Sequence, residues 1–169
     1  ATFRTVDVVG LDTLVHVANG IYENCPNDEA HELFKLPTFI NKMMENKWLG
    51  SKTGQGFYKK EGKEILTLDL DTLEYRAAKK ANFATLELTK TIDKPINRFK
   101  VLVKGKDKAG EFYRKSFSSM FAYVSNRIPE ISDELYKIDD AMKAGFGWEN
   151  GPFEIWDAIG VEKGIELMK

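Results

Sequence analysis

Apolar positions set the first expectation. Leu14, Val17, Ala18, Ile21 and Tyr22 fall at i, i+3, i+4, i+7 and i+8, one stripe of an amphipathic helix. Asp12 stands where a cap would open it, and Pro26 follows its end. Phe39, Ile40, Met43 and Met44 predict a second helix, opened by Pro37-Thr38. The period then changes. Lys52-Thr53-Gly54-Gln55-Gly56-Phe57-Tyr58 is punctuated by glycine and ends in aromatics, as a loop entering a short strand does. Glu64 to Leu70 alternates with period two and predicts a strand that pairs with 56–60 as a hairpin. Asp71 to Lys80 is polar and reads as a linker.

Helical patterning returns at 84–92 and 97–103, followed by a basic turn at Lys104, Lys106 and Lys108 between Gly105 and Gly110. The longest predicted helix carries Phe117, Met120, Phe121, Val124, Ile128, Ile131 and Leu135. A short helix over 138–145 would use Asp139 or Asp140 as cap and Gly145 as stop. Pro152 suits the first position of a further helix, because its missing N–H is one that helices leave unpaired. Gly160 separates that helix from the last one. The sum is an all-α chain with one small β-hairpin near 56–70.

One pattern is longer than any element. Residues 2–15 and 152–165 align without a gap, with Phe3/Phe153, Asp7/Asp157 and Gly10/Gly160 identical and Val9/Ile159, Leu11/Val161 and Asp12/Glu162 alike in type. Such self-similarity marks two copies of one module. The first copy is entered partway through and the second breaks off partway, so the chain reads as a piece of a larger protein. The expected layout is the back half of a first module at 1–70, a linker region at 71–112 and the front half of a second module at 113–169.

Composition narrows the function classes. With 43% hydrophobic residues the 169-residue chain can bury a core, and a net charge of −1 gives no footing for nucleic acid or an anionic membrane. No apolar run spans a bilayer and no signal-peptide pattern stands at the start. The lone Cys25 excludes an internal disulfide and fits a reducing, cytoplasmic setting.

Asp7-Val8-Val9-Gly10-Leu11-Asp12-Thr13 and Leu49-Gly50-Ser51-Lys52-Thr53-Gly54-Gln55-Gly56-Phe57-Tyr58 resemble the C-terminal domain of 3-hydroxyacyl-CoA dehydrogenases. Phe121 to Ile128, Ile138 to Met142, Gly145-Phe146-Gly147 and Gly151-Pro152-Phe153-Glu154 follow in the family's order. The resemblance covers about 1–60 and 115–169. It implies the all-α fold shared with the C-terminal domain of 6-phosphogluconate dehydrogenase. It also implies NAD-dependent oxidation of 3-hydroxyacyl-CoA in fatty acid β-oxidation. NAD and the catalytic histidine would be held by a Rossmann domain outside these residues. An enoyl-CoA hydratase domain or a second copy are the further partners it implies. A non-catalytic helical binding or oligomerisation module of the same fold is the alternative.

Only Asn126 is carried over as a site residue. In the family, the Asn of the "N-R" pair points at substrate and catalytic histidine, and a side-chain amide can donate to a developing oxyanion. The other reading is that Asn126-Arg127 packs or caps. Pro129 is expected to kink the helix beside it. His16 and His31 read as solvated, Cys25 as inert, and Lys104, Lys106 and Lys108 as a solvated turn that could also meet CoA phosphates. Lys52 to Phe57 reads as structural, its glycines permitting positive φ, and Asp139 and Asp140 read as caps. Trp148 and Trp156 read as packing. No metal site or NAD site is expected in the chain.

Overall fold

The computed structural model describes residues 2–169, which divide into two compact units at Lys80/Ala81. The first unit opens with α1 (Thr2–Val9) and α2 (Leu11–Asn24), followed by a 3-10 turn at His31–Phe34 and α3 (Thr38–Glu45). Three short antiparallel strands close it: β1 (Tyr58–Glu61), β2 (Glu64–Leu68) and β3 (Tyr75–Ala77). The β1–β2 register sets Tyr58 against Thr67 and Glu61 against Glu64, with Gly62 at positive φ in the turn. Leu11, Ile40, Met43, Phe57 and Leu68 form the buried core of this unit.

The α2 stripe sits one position round from where the apolar pattern put it. Leu11 and Ala18 are buried and Val15 packs on the core, whereas Leu14 and Val17 face solvent, 37% and 51% exposed. Position 10 decides this. Gly10 adopts φ 112°, ψ 130°, breaks α1 from α2 and lets Leu11 N–H donate to the Leu49 carbonyl at 3.0 Å. Asp12 is therefore not the cap. Gly10 holds that place, and the Asp12 carboxylate turns to the Lys52 ammonium at 2.5 and 2.6 Å.

The second unit contains α4 (Ala84–Thr89), α5 (Pro95–Lys104), α6 (Lys108–Asn126), α7 (Leu135–Phe146), α8 (Pro152–Ile159) and α9 (Val161–Met168). Its core runs along stacked aromatics. Phe117 lies 5.9 Å from Phe121, and Phe121 lies 4.9 Å from Trp156, with Val103, Ile155 and Ile159 packed around them.

Three expectations need correcting. The stretch 71–112, expected to be a linker region, is built into the fold. β3 pairs with β2 and the Tyr75 hydroxyl donates to the Gly56 carbonyl at 2.6 Å, while Leu102 and Val103 of α5 are buried. The helical patterning at 84–92 and 97–103 stands as α4 and α5, and the polar composition of 71–80 conceals only the three-residue β3. The longest helix does not run to Leu135 with a kink at Pro129. It ends at Asn126, because proline lacks the N–H a helix needs and disfavours helical backbone at Ile128 before it. Finally, Asp139 and Asp140 lie inside α7, which opens after Glu134 and stops at Gly147 with φ 64°.

No helix among the described residues is long and apolar enough to cross a membrane.

Candidate functional site

Two buried carboxylates organise the molecule, one in each unit. Asp7 sits on α1 between Val6 and Val8, with little exposure. Its Oδ1 accepts from Phe57 N at 2.9 Å and its Oδ2 from Tyr58 N at 2.8 Å. An ionised carboxylate with two backbone donors is a strong, charge-assisted arrangement. It fixes the start of β1 onto a helix fifty residues earlier in the chain.

The glycines of the 50–56 stretch make room for this. A Cβ at Gly56 would come 2.2 Å from Asp7 Oδ1, and one at Gly50 would come 2.3 Å from the Asp7 carbonyl oxygen. Gly50 and Gly54 also hold positive φ, 102° and 79°. Of the two glycines read as structural, Gly54 uses positive φ and Gly56 is required by close approach to Asp7. Tyr75 closes the same corner. Burial, and then the Asp7 charge, push its phenol up to about 12.

Asp139 does the equivalent work in the second unit. It projects from the middle of α7 and accepts from Phe153 N at 2.8 Å and Glu154 N at 3.1 Å. These are free donors of the first turn of α8, so Asp139 caps a helix other than its own. The cap residue itself is Gly151, whose side chain could offer nothing, and a Cβ there would meet the Asp139 Cβ at 2.3 Å. Glu154 Oε2 reaches back to Gly151 N at 2.9 Å, half of a capping box. Burial raises the Asp139 carboxyl above the ordinary carboxylate range, against the pull of the two amides.

A groove of about 570 Å³ opens beside this clamp, lined by Leu135, Asp139, Lys143, Phe153, Trp156 and Val161 among others. Its charges are spoken for on one side. Lys143 bridges Glu154 at 2.7 Å and Asp140 at 3.1 Å, which raises the ammonium and lowers Glu154. A mostly apolar groove with the paired Lys143 on one side and the unpaired Asp157 on another suits a packed segment of polypeptide.

Asn126 is the last residue of α6, next to Ser125, which lines the groove. The following Arg127 lies over the Tyr123 ring at 5.1 Å and pairs with Glu130 at 2.8 Å. His16 is exposed, as expected. His31 is not the solvated histidine expected. It stacks on Tyr22 at 4.1 Å and its side chain is 18% exposed, a packing role for the 3-10 turn it opens. Cys25 is exposed.

Lys104, Lys106 and Lys108 are exposed, and the turn they decorate is organised by Asp107. Its carboxylate accepts from Thr85 N and Gly110 N at 3.0 Å, and these amides hold it down at about 2. Among the described residues no group of three or more His, Cys, Asp or Glu could hold a metal ion.

A dinucleotide cradle requires a strand that turns through glycines into a helix. The strands of the described residues pair only antiparallel, and Gly56 leads into β1 rather than a helix. These residues do not fit that cofactor.

The sequence pattern contained Asp7, Asp107 and Asp139 without revealing their partners. The usable signal was an acid among apolar residues, as in Val6-Asp7-Val8-Val9, combined with glycines that have no turn to explain them.

Comparison with known proteins agrees with the motifs. The family model "3-hydroxyacyl-CoA dehydrogenase, C-terminal domain" matches residues 1–60. A Bacillus subtilis protein named "Probable 3-hydroxyacyl-CoA dehydrogenase" is 47% identical over all of this chain and 21% of its own length. A Rickettsia felis protein bearing the name fatty acid oxidation complex trifunctional enzyme is 27% identical over 90% of this chain and 20% of its own length. A Rattus norvegicus protein, "Hydroxyacyl-coenzyme A dehydrogenase, mitochondrial", is 40% identical over 57 residues, 34% of this chain and 17% of its own. The chain thus spans about a fifth of the length of these relatives. No solved structure matches it. Residues 1–60 are thus similar to the C-terminal domain of 3-hydroxyacyl-CoA dehydrogenases, and the whole chain is similar to part of a protein that bears that name.

Proposed function

We propose that this chain is a helical, substrate-side part of an NAD-dependent enzyme that oxidises 3-hydroxyacyl-CoA to 3-oxoacyl-CoA in fatty acid β-oxidation. The observation that carries the reading is similarity along the whole chain to a protein named as such a dehydrogenase, in residues that do not fit a nucleotide cradle. NAD is then bound by a separate Rossmann domain, and the residues described here supply scaffold and substrate-facing surface. A hydratase domain is a fitting partner, given that one relative is named a trifunctional enzyme of fatty acid oxidation. A cytoplasmic setting accords with the single cysteine.

The modules are proposed as the back of one copy at 1–70 and the front of the next at 113–169. The two hairpins support this. Gly10 has φ 112°, ψ 130° and Gly160 φ 108°, ψ 131°, each between two helices and each donating its N–H four residues back, to Val6 O at 2.7 Å and Trp156 O at 2.9 Å. Asn126, at the end of α6, is the proposed substrate-facing amide, able to donate to oxygen as charge develops.

The test is NADH formation from a 3-hydroxyacyl-CoA. The whole protein is expected to form it and the 1–169 chain alone is not. Turnover by the chain alone, or none by the whole protein, contradicts the reading. Asn126→Ala in the whole protein is expected to lower kcat more than it raises KM.

A further inference from the structure

The α1–α2 and α8–α9 hairpins match position for position and bury opposite faces. In the first, Asp7, Gly10 and Leu11 are buried and Thr2, Thr5, Val9 and Leu14 are exposed. In the second, the counterparts reverse. Asp157 and Val161 are exposed, while Pro152, Ile155, Ile159 and Gly164 are buried. The face that α1–α2 buries is covered by residues 36–75 of its own unit. On α8–α9 the same face is open: Val161 is 53% exposed where Leu11 is 0%, and Ile165 is 43% exposed where Val15 is half-buried.

The polar groups on that face follow the same rule. Asp7 receives two backbone amides and Asp12 receives Lys52. Their counterparts Asp157 and Glu162 make no hydrogen bond or ion pair among the described residues. An apolar strip with two unpaired carboxylates, on an element whose twin has all of these groups engaged, specifies what would engage them.

We infer that the Asp157–Val161–Ile165 face of α8–α9 is a docking surface for a polypeptide segment with the chemistry of residues 50–58. The occupant carries a glycine-flanked turn that offers two successive backbone N–H groups to the Asp157 carboxylate. It also carries a lysine two residues after its first glycine for Glu162, and aromatic side chains for the apolar strip. The glycines are required because a Cβ at Gly50 or Gly56 would overlap Asp7, and Asp157 imposes the same limit. This inference rests on reading the hairpins as copies of one element. It is independent of whether the whole protein oxidises a hydroxyacyl-CoA.

The test titrates the 1–169 chain with a polypeptide of residues 36–80 of the same sequence, followed by calorimetry. Saturable one-to-one binding is expected. It should weaken roughly tenfold or more with Asp157→Asn in the chain, the loss expected for a charge-assisted pair of hydrogen bonds. Gly56→Val in the probe should weaken it at least as much. Asp157 is exposed, so the variant is expected to fold as the parent, checked by circular dichroism. Absence of binding overturns the inference. So does binding that ignores Asp157→Asn but is lost with Asp7→Asn, since the probe would then sit on α1–α2 instead.

Discussion

Two hairpins that turn on glycines of nearly identical dihedrals, α1–α2 and α8–α9, teach different lessons about the same sequence pattern. The positive-φ glycine, the helix on either side and the acid three residues before the glycine are common to both. What differs is the neighbour. α1–α2 turns its Asp7–Leu11 face to a glycine turn and a small sheet, whereas α8–α9 turns its Ile155–Ile159 face to the aromatics of α6. Local geometry is written in the repeat. Burial is written in what each copy finds to pack against.

That contrast can be broken most severely at the pair Leu11/Val161. Leu11→Ala removes a side chain with no exposure and should cost about 2–5 kcal/mol. Val161→Ala at the matching position should stay within about 0.5 kcal/mol. Urea unfolding measures both, and equal losses would mean that both faces are packed alike.

Next comes the second carboxylate clamp. Asp139→Ala strips two α8 amides of their acceptor in a buried corner and should cost roughly 2 kcal/mol. Its pH behaviour carries a sign. The Asp139 carboxyl is raised above its ordinary 3.8, so its titration favours the fold most below 3.8, and that contribution is lost as pH rises through the folded value. Asp107 runs the other way. Held at about 2, it supports the fold above 3.8 and loses that contribution as pH falls toward 2. Urea midpoints between pH 2 and 5 should therefore fall less steeply with acid in Asp107→Asn and more steeply in Asp139→Asn, relative to the parent.

The smallest expected effect is spectroscopic. Tyr75 is held up at about 12 first by burial and then by the Asp7 charge. Asp7→Asn should bring its ionisation part of the way back toward 10 in an ultraviolet titration, with burial retaining the rest. An unmoved titration would deny that the Asp7 carboxylate is charged beside that ring.

Much of the fold was legible from period together with proline and glycine punctuation. The helix at 38–45 and the strands near 58–68 fall where apolar spacing puts them, and α8 runs between the Pro152 start and the Gly160 break that the sequence marked. The α2 face was misread because Leu14 and Val17 complete a helical stripe as well as Leu11, Val15 and Ala18 do. Only the Gly10 dihedral chooses between them. Within 71–112 the helices at 84–92 and 97–103 were legible, but the 71–80 stretch was misread because three-residue β3 is too short to show a period. The clamps were invisible because a hydrogen bond from Phe57 N to Asp7 is a fact of topology. The sequence shows the acid and the glycines, not their meeting.

The most direct measurement of the central contrast is native-state hydrogen exchange at the Phe57 and Tyr58 amides, in the parent chain and in Asp7→Asn and Asp157→Asn. Asp7→Asn should speed exchange at both amides by about tenfold or more, because one carboxylate holds them. Asp157→Asn, the same change on the twin hairpin, should leave both rates as they are in the parent. Equal acceleration by the two substitutions, or none by Asp7→Asn, would contradict the account.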